Sequence, residues 1–504
     1  MYSQSKITTA VASALLCMVA GTASAQGLTA NNGQTATNTE SIVVTDSSSY
    51  GMQTGETVPQ DGRNTLINNG TITVENGYGI GLPYSNGTVQ NNGVINAKGG
   101  TAIVVNGSVS QTPDQNQILL GEKSATTGMI LVQAATNTTI DVAEGAVIDG
   151  RIIVQNVSDA DKNKGKLSGT VIKGYVNISN QTGTIGGAVI MGDATGELSF
   201  VNSTFSGNKV EGDDVAGGAV YNYGTPFKQV GGEYSSNTAV STGYQPTGDD
   251  PIRGGAIGGA IMLKGNPGTV FEDVVFKDNT AVARKTDTST GGVAYGGALL
   301  VDYSTGNATG VAQASDVEFH ITKDMTYSGN TVSSDSSGTQ IDTWGYHVPS
   351  VQAGGFLFLD RGSEATFKVD AGATLTIGSQ VTTDDTDSIA SSIPNTKTST
   401  NSGKHAKVAK TGEGELVVNS SFNKYYGTVE VQNGKMTVNS AWALKNAVNV
   451  ENGATLALKS FTIDSAEKSG NQDVSGNKIG GSILVKAGGT LETSTDQVFT
   501  LSLI

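Results

Sequence analysis

Short apolar segments with a two-residue period alternate with polar corners along most of the chain. The stretches "TLINNGTITVENGYGI" and "TVQNNGVINAKGGTAIVV" carry alternating apolar residues around Asn-Asn-Gly corners, which begin 23 residues apart, at Asn68 and Asn91. The alternation predicts β-strands. Asn-Gly between strands is also typical of a hairpin. A corner repeated at this spacing instead favours coils of about 20 to 25 residues that stack on one another.

A second repeat occupies the middle of the chain and has two alternating halves. One half is a glycine pair followed by an apolar run, and the other is Phe or Tyr followed three residues later by Asn. The glycine pairs are Gly186-Gly187, Gly217-Gly218, Gly254-Gly255, Gly258-Gly259, Gly296-Gly297 and, in a looser copy, Gly354-Gly355; the aromatic and asparagine positions are Phe205 and Asn208, Tyr234 and Asn237, Phe276 and Asn279, and Tyr327 and Asn330.

These residue types suit a stack of coils better than a ligand site. A ring at one coil position stacks on its counterpart in the next coil. Asparagine accepts a left-handed backbone, and its amide bonds to nearby backbone groups or to the Asn above. The glycine pair lets the chain turn where a Cβ would clash. We therefore predict an all-β protein folded as a right-handed parallel β-helix, a solenoid that forms a single elongated rod.

Five segments follow from the pattern. Residues 1–25 have an early lysine, an apolar stretch and a final Ala-Ser-Ala, which together predict a secretory signal peptide cleaved after Ala25. We expect residues 26–61 to be a leader or cap that is partly disordered, and residues 62–378 to hold the repeated coils. Residues 379–405 read as a polar loop excursion, and residues 406–504 as further β-helix coils.

Composition and charge narrow the classes of function. The net charge is −15, which repels phosphate groups, so we expect no nucleic-acid partner. Glycine is abundant, at 68 of 504 residues, as expected for many tight corners. The only cysteine, Cys17, lies in the predicted signal peptide, so the mature chain is expected to have no disulfide.

Candidate chemistry is sparse, and we predict a non-enzymatic protein with no catalytic residue and no cofactor. The strongest speculative calcium ligands are Asp213, Asp214, Asp249 and Asp250, whose loops flank successive glycine pairs. Solvated loop charge is the favoured interpretation of these pairs. The other candidates are His320, His347 and His405, which lack metal-ligand spacing, and the loop aromatics Trp344 and Tyr346, suited to a sugar or protein contact or to packing.

Two motifs carry a resemblance to known families. The alternation of glycine-glycine-Ala-apolar with Phe-x-x-Asn resembles the repeats of the chlamydial polymorphic membrane proteins, which are autotransporters. Separately, Lys410-Thr411-Gly412-x-Gly414-x-Leu416, followed by Tyr426-Gly427-Thr428-x-Glu430-Val431 and Gly434-x-Met436-x-Val438, resembles the autotransporter-associated β-strand repeat. The resemblance covers roughly residues 180 to 460.

The resemblance implies a β-helical passenger domain that a C-terminal outer-membrane barrel exports and that is displayed on the cell surface or released. The sequence ends at "VFTLSLI" without such a barrel, so we expect the chain to be either a fragment of a longer autotransporter or a protein exported by another route. The leading interpretation is an adhesin for a host-cell or bacterial surface protein or glycan. The alternatives are an exported polysaccharide lyase or glycosidase on the same scaffold, and a passive surface spacer.

Overall fold

The computed structural model describes residues 27–55, 63–83, 87–106, 116–133, 138–155, 169–192, 196–242, 255–266, 268–285, 292–302, 315–335, 351–360, 362–392, 405–463 and 481–494. Within these ranges the regular structure is β-strand and no helix occurs. Strands pair in parallel and in register with their counterparts from other coils. The prediction of an all-β parallel β-helix is confirmed. The chain divides into two compact units, residues 1–147 and 148–504.

In the unit 1–147, successive coils build three columns of parallel strands. The first column holds Leu28–Ala30, Tyr50–Thr54, Tyr78–Leu82 and the second halves of Val94–Asn106 and Ala125–Gln133. The second holds Thr35–Asn38, Asn64–Asn68, Gly87–Asn91, Asn116–Leu120 and Thr138–Val142. The third holds Ser41–Val44, Thr71–Val74 and the first halves of Val94–Asn106 and Ala125–Gln133. Strand Val147–Asp149 begins at the last residue of the unit.

The interior of this unit is a row of aliphatic side chains beside a row of amides. Leu66, Val89, Ile118 and Ile140 are all buried and lie in register on successive strands. The asparagines that begin the Asn-Asn-Gly corners stack with each other and with Asn38: Asn38 Nδ2 donates to Asn68 Oδ1 at 2.8 Å, and Asn68 Nδ2 donates to Asn91 Oδ1 at 2.8 Å. The first coils use residues 28–54, most of the segment that the sequence suggested as a leader.

In the unit 148–504, two long sheets form what we call the body. Body sheet I consists of Ile152–Val154, Val189–Met191, Val220–Tyr223, Ile261–Lys264, Leu299–Asp302, Leu357–Leu359 and Ile389–Ser391. Body sheet II consists of Val171–Gly174, Ile178–Ser179, Glu197–Ser206, Phe227–Ser235, Thr269–Glu272, Val275–Lys277, Asp316–Ile321, Glu364–Val369, Lys407–Thr411, Thr428–Val431, Ala447–Val450 and Ser482–Val485. A C-terminal sheet follows, with Met325–Tyr327, Thr374–Ile377, Glu415–Val418, Lys435–Leu444, Thr455–Ile463 and Thr490–Thr493.

Two further sheets form a lateral feature of the same coils, which we call the ridge. Ridge sheet I consists of Thr182–Gly183, Lys209–Gly212, Thr238–Ser241, Thr280–Ala283 and Thr331–Ser334. Ridge sheet II consists of Val215–Ala216, Gly255–Ile257, Val293–Tyr295 and Gln352–Ala353. Small apolar side chains fill the space between them: Val210, Val215, Ala239, Ala256, Ala281, Ala283, Ala294 and Val332.

The glycine pairs stand where ridge sheet II turns into body sheet I. A Cβ on Gly259 would overlap the carbonyl oxygen of Gly297 and would lie 2.5 Å from the backbone of Thr280. Thr280 directly follows Asn279 at the opposite corner, where body sheet II turns into ridge sheet I. The two corners therefore touch through the glycine and separate the interior of the ridge from that of the body. Gly254 lies outside the described residues, and Gly255 begins a ridge strand rather than a corner.

Aromatic rings fill the interior of the body along successive coils. Phe205 stacks on Tyr234 with centroids 5.0 Å apart, and Tyr234 stacks on Phe276 at 5.4 Å. Tyr327 meets Phe276 edge-on, at an interplanar angle of 83°. The difference arises because Tyr327 ends a strand of the C-terminal sheet rather than of body sheet II. Aromatic rings thus occupy the same position in successive coils, but only Phe205, Tyr234 and Phe276 stack face to face.

The repeated asparagines form a continuous buried column beside these rings. Each side chain Nδ2 donates to the Oδ1 of the next at 3.0 Å, from Asn208 to Asn237, to Asn279 and to Asn330. The column ends at Asp387, whose Oδ1 accepts from Asn330 Nδ2 at 2.9 Å and whose Oδ2 accepts from the Gly329 amide at 2.8 Å. Burial raises the pKa of Asp387, while the N–H groups of Asn330 and Gly329 act in the opposite direction.

The glycine corners form a second column with a defined start and end. The Gly218 amide donates to the Gly258 carbonyl at 3.0 Å, and later corners repeat this bond. At the start, Arg151 Nη2 donates to the carbonyls of Ile185 and Gly186 at 2.7 and 2.9 Å. At the end, the Gly355 amide donates to Ser388 Oγ at 2.9 Å. The guanidinium of Arg151 thus pairs with the carbonyls at the start of the column, which have no partner in a preceding glycine corner. The hydroxyl oxygen of Ser388 accepts from the amide at the end, which has no partner in a following glycine corner.

Part of the predicted loop excursion, residues 379–405, belongs to the body. Strand Ile389–Ser391 pairs with Leu357–Leu359, and the residues just before it end the two columns. Asp385 bonds Lys424 Nζ at 2.7 Å, and its side chain is only 14% exposed. The polar composition of this stretch therefore reflects hydrogen-bonding positions and not solvation alone. Residues 393–404 lie outside the described residues.

We expect Asn279→Asp to lower the free energy of unfolding by about 3 kcal/mol, because it leaves a buried carboxylate facing two acceptors. Asn279 Nδ2 now donates to Asn330 Oδ1 and to the Tyr234 carbonyl. Urea unfolding followed by circular dichroism measures the effect. Asn177→Asp is the matched control, since Asn177 is exposed and keeps its acceptor Oδ1. Equal stability of the two variants would contradict the role of the column.

We expect Gly259→Ala to cost about 2 kcal/mol, because the added methyl group forces the two touching corners apart. Gly212→Ala is the control: its Cβ would meet only side chains, at 3.5 and 3.6 Å. The same unfolding measurement applies to both. A Gly259→Ala variant as stable as Gly212→Ala would show that the corners have room for a side chain.

Candidate functional site: the groove beside the ridge

The outer faces of ridge sheet II and body sheet I meet at the glycine corners, where their apolar side chains form one cluster along a strip that we call the groove. The cluster contains Tyr295 and Phe358, whose rings stack at 4.5 Å, and both rings are buried. Tyr221 and Ile257 pack against it and are only partly buried. The other members of the cluster are Ala216, Met262, Val293, Leu300, Ala353 and Ala390.

Register explains how these side chains come together. Tyr221 pairs with Met262, Met262 with Leu300, and Leu300 with Phe358, so the four form one row along body sheet I. Their neighbours one residue earlier, such as Ile261 and Leu299, point into the body and are fully buried. Strands of body sheet I are therefore apolar on both faces, as in sheets covered on both sides.

A polar row, which we call the rim, borders the groove two residues further along the same strands. Tyr223, Lys264 and Asp302 lie in register, and Lys264 Nζ is 4.0 Å from Asp302 Oδ2. All three side chains are partly exposed. Burial raises the pKa of Tyr221 to about 12, and the charges of Asp302, Tyr223 and Asp214 contribute to the shift. The rim thus places negative charge beside a partly exposed aromatic ring.

The speculative calcium residues are only partly described. Asp213 and Asp214 are exposed in the short connection between the two ridge sheets, while Asp249 and Asp250 lie outside the described residues. The strands that flank the two connections are neighbours: Lys209–Gly212 pairs with Thr238–Ser241, and Val215–Ala216 pairs with Gly255–Ile257. Among the described residues, no group of three or more His, Cys, Asp or Glu side chains is placed to hold a metal ion.

The described histidines make ordinary polar contacts. His320 Nε2 lies 3.2 Å from both carboxylate oxygens of Asp370, and its Nδ1 lies 3.6 Å from Glu272. His405 Nδ1 lies 2.9 Å from Asn446 Nδ2. His347, Trp344 and Tyr346 lie outside the described residues.

Sequence reasoning missed the groove, although a signal for it was present. Strands after the glycine pairs, such as "AIMLK" and "ALLVD", are apolar at consecutive positions rather than at every second one. Consecutive apolar positions indicate a strand covered on both faces. The repeat residues themselves, the glycine pairs, rings and asparagines, line the interior and the corners rather than the groove.

Comparison with known proteins gives one match. The chain is 24% identical over 356 residues to a protein of Escherichia coli (strain K12) described as "Probable autotransporter YfaL"; the match covers 70% of this chain and 24% of that protein. No protein-family profile matches the chain, and no solved structure matches it. The similarity supports an exported autotransporter passenger. Within the described ranges no helix is long and apolar enough to cross a bilayer.

We expect Phe358→Ala to lower the free energy of unfolding by about 3 kcal/mol, although Phe358 lies on the outer face of its sheet. The reason is that Phe358 is 3% exposed and loses its stack with Tyr295. Val381→Ala serves as control, because Val381 is 53% exposed and should change stability by less than about 0.5 kcal/mol. Thermal unfolding of the two variants compares them. A small effect at Phe358 would mean that the groove cluster contributes no packing energy.

Proposed function

We propose that this chain is a non-enzymatic adhesive passenger of an autotransporter-type system, exported and held at the bacterial cell surface or released from it. The similarity to a probable autotransporter supports the export route. The predicted signal peptide, residues 1–25, and the resemblance to polymorphic membrane protein and autotransporter-associated repeats agree with this proposal. An outer-membrane barrel is the proposed export partner.

The observation that carries the adhesive role is the regular spacing of surface groups along the ridge and groove. Successive strands of a parallel sheet are about 4.8 Å apart, so the rim presents Tyr223, Lys264 and Asp302 as a closely spaced row. The four connections between the ridge sheets begin at neighbouring strand ends. Many weak contacts in a row give useful avidity without any single strong site.

The proposed partner is a protein or glycan on a host or bacterial cell surface, bound along the groove rim and the ridge. Side chains of opposite sign and an aromatic ring provide hydrogen bonds, ionic contacts and stacking to such a partner. Because the contacts are partly ionic, we expect binding to weaken with increasing salt.

We expect the purified chain without residues 1–25 to bind intact cells or extracellular matrix in a saturable manner. The variant Lys264→Gln with Asp302→Asn should bind at least about fivefold more weakly, since it removes both charges of the rim pair. Flow cytometry with the labelled protein measures the affinity. The matched control is Lys407→Gln with Glu364→Gln, which removes a partly exposed ion pair, at 3.1 Å, from body sheet II.

Three outcomes would contradict the proposal in different ways. Equal loss in the two double variants would show that binding does not involve the groove rim. No binding to any cell or matrix would favour the passive spacer. Release of reducing ends from a polysaccharide, abolished by a single carboxylate substitution, would favour the carbohydrate-active enzyme.

A further inference from the structure

One lysine side chain lies in the interior of the body. Lys410 is fully buried, and in the part of the chain that the structure describes it is the only buried lysine. It follows Phe319 and Phe367 in register on body sheet II, where Phe319 and Phe367 stack at 5.0 Å. A lysine therefore takes the next position of an aromatic row, and Val431 takes the one after it.

The ammonium group of Lys410 is held by three backbone carbonyls from two successive coils. Nζ donates to the carbonyl oxygens of Thr411 at 2.8 Å, Gly412 at 2.8 Å and Asn433 at 3.1 Å. A primary ammonium has three N–H donors and no acceptor, so three carbonyls match its hydrogen-bonding capacity. We call this arrangement of Thr411, Gly412 and Asn433 oxygens the carbonyl cage.

Local backbone geometry explains why the carbonyls converge. Gly412 has a φ of 75° and Gly434 a φ of 61°, in the left-handed region that favours glycine. A Cβ on Gly434 would lie 2.5 Å from the carbonyl oxygens of Gly412 and Gly414, so a side chain there would push the two coils apart. The glycines thus keep the cage closed around a small cation.

The charge balance at the cage favours an ammonium at neutral pH. Burial lowers the pKa of Lys410 to about 8, and the carboxylates of Glu413 and Glu415 act in the opposite direction. Thr411, Gly412 and Asn433 are partly buried, and their three carbonyls lose a hydrogen-bond donor if the ammonium group is removed. The cage therefore favours a small donor-rich group, and the side chain of Lys410 supplies one.

We propose that the corner formed by Thr411, Gly412 and Asn433 is a binding site for a primary ammonium group, which Lys410 fills as a tethered ligand. The site is separate from the groove and from any adhesive role. Its specificity is for a cation with three N–H donors, because each carbonyl accepts one. When the tether is shortened, the cage should accept a free primary alkylammonium ion of matching size.

The test begins with Lys410→Ala in the full chain. This substitution removes the atoms of n-propylammonium, so n-propylammonium chloride is the probe. We expect the thermal midpoint of the variant to lie below that of the native protein and to recover by about 2–4 °C at saturating probe. Neutral n-propanol and tetramethylammonium, which has no N–H donor, should not restore it at equal ionic strength. Val408→Ala, a fully buried position on the same strand, controls for cavity filling.

A covalent version keeps the proposal testable if Lys410→Ala fails to fold. In a Cys17→Ser background, Lys410→Cys carries the only thiol of the chain. In the unfolded chain its thiolate displaces bromide from 2-bromoethylamine and forms a lysine isostere, whereas bromoethane gives the same thioether without the ammonium. We expect only the aminoethylated protein to refold with a midpoint near the native one.

Either of two results would overturn the proposal. In the first, n-propanol or tetramethylammonium stabilises Lys410→Ala as well as n-propylammonium does, or Val408→Ala responds equally. In the second, the ethylated and aminoethylated proteins unfold at the same temperature. Both would mean that the interior needs volume at this position and not an ammonium group.

Discussion

Parallel, in-register pairing of the backbone between successive coils is the constraint on which the rest of the structure depends. It places each side chain directly over its counterpart, about 4.8 Å away, in every coil. A side chain that packs well against an identical side chain at that distance can therefore recur at the same position in successive coils. Rings stack on rings in Phe205, Tyr234 and Phe276, and amides bond amides from Asn208 to Asn330. Repetition in the sequence is thus the direct result of repetition in space.

The same pairing gives the glycine and asparagine columns a direction, because the amides of the glycine pairs and the Nδ2 groups of the asparagines donate toward later coils. Carbonyls without partners remain at the start and amides without partners at the end. The chain meets the first with the guanidinium of Arg151 and the second with the carboxylate of Asp387 and the hydroxyl of Ser388. This is the logic of helix capping transferred to a solenoid: a cation where carbonyls are exposed and an anion where amides are exposed. The ends of the repeat are chemically defined positions.

The two-residue period and the recurring corners were enough to predict strands, coils and the inward direction of the rings and asparagines. They could not reveal which corners touch, since contact between Gly259 and Thr280 joins residues far apart in one coil. For that reason the ridge and the groove were not foreseen, and the acidic stretch before Ile389 read as a loop although Asp385 and Asp387 fill bonding positions. The burial of Lys410 was not predicted, because its motif was identified only by resemblance and its burial depends on the fold.

The ridge connections differ greatly in length, from two residues at 213–214 to 17 residues at 335–351, yet the strands on either side keep their register. Insertions and deletions at this edge leave the pairing of the body untouched, because the touching corners isolate it. Such an edge tolerates a change in the length of a connection without loss of a foldable core. Sequence changes at this edge can therefore accumulate during evolution at little cost in stability.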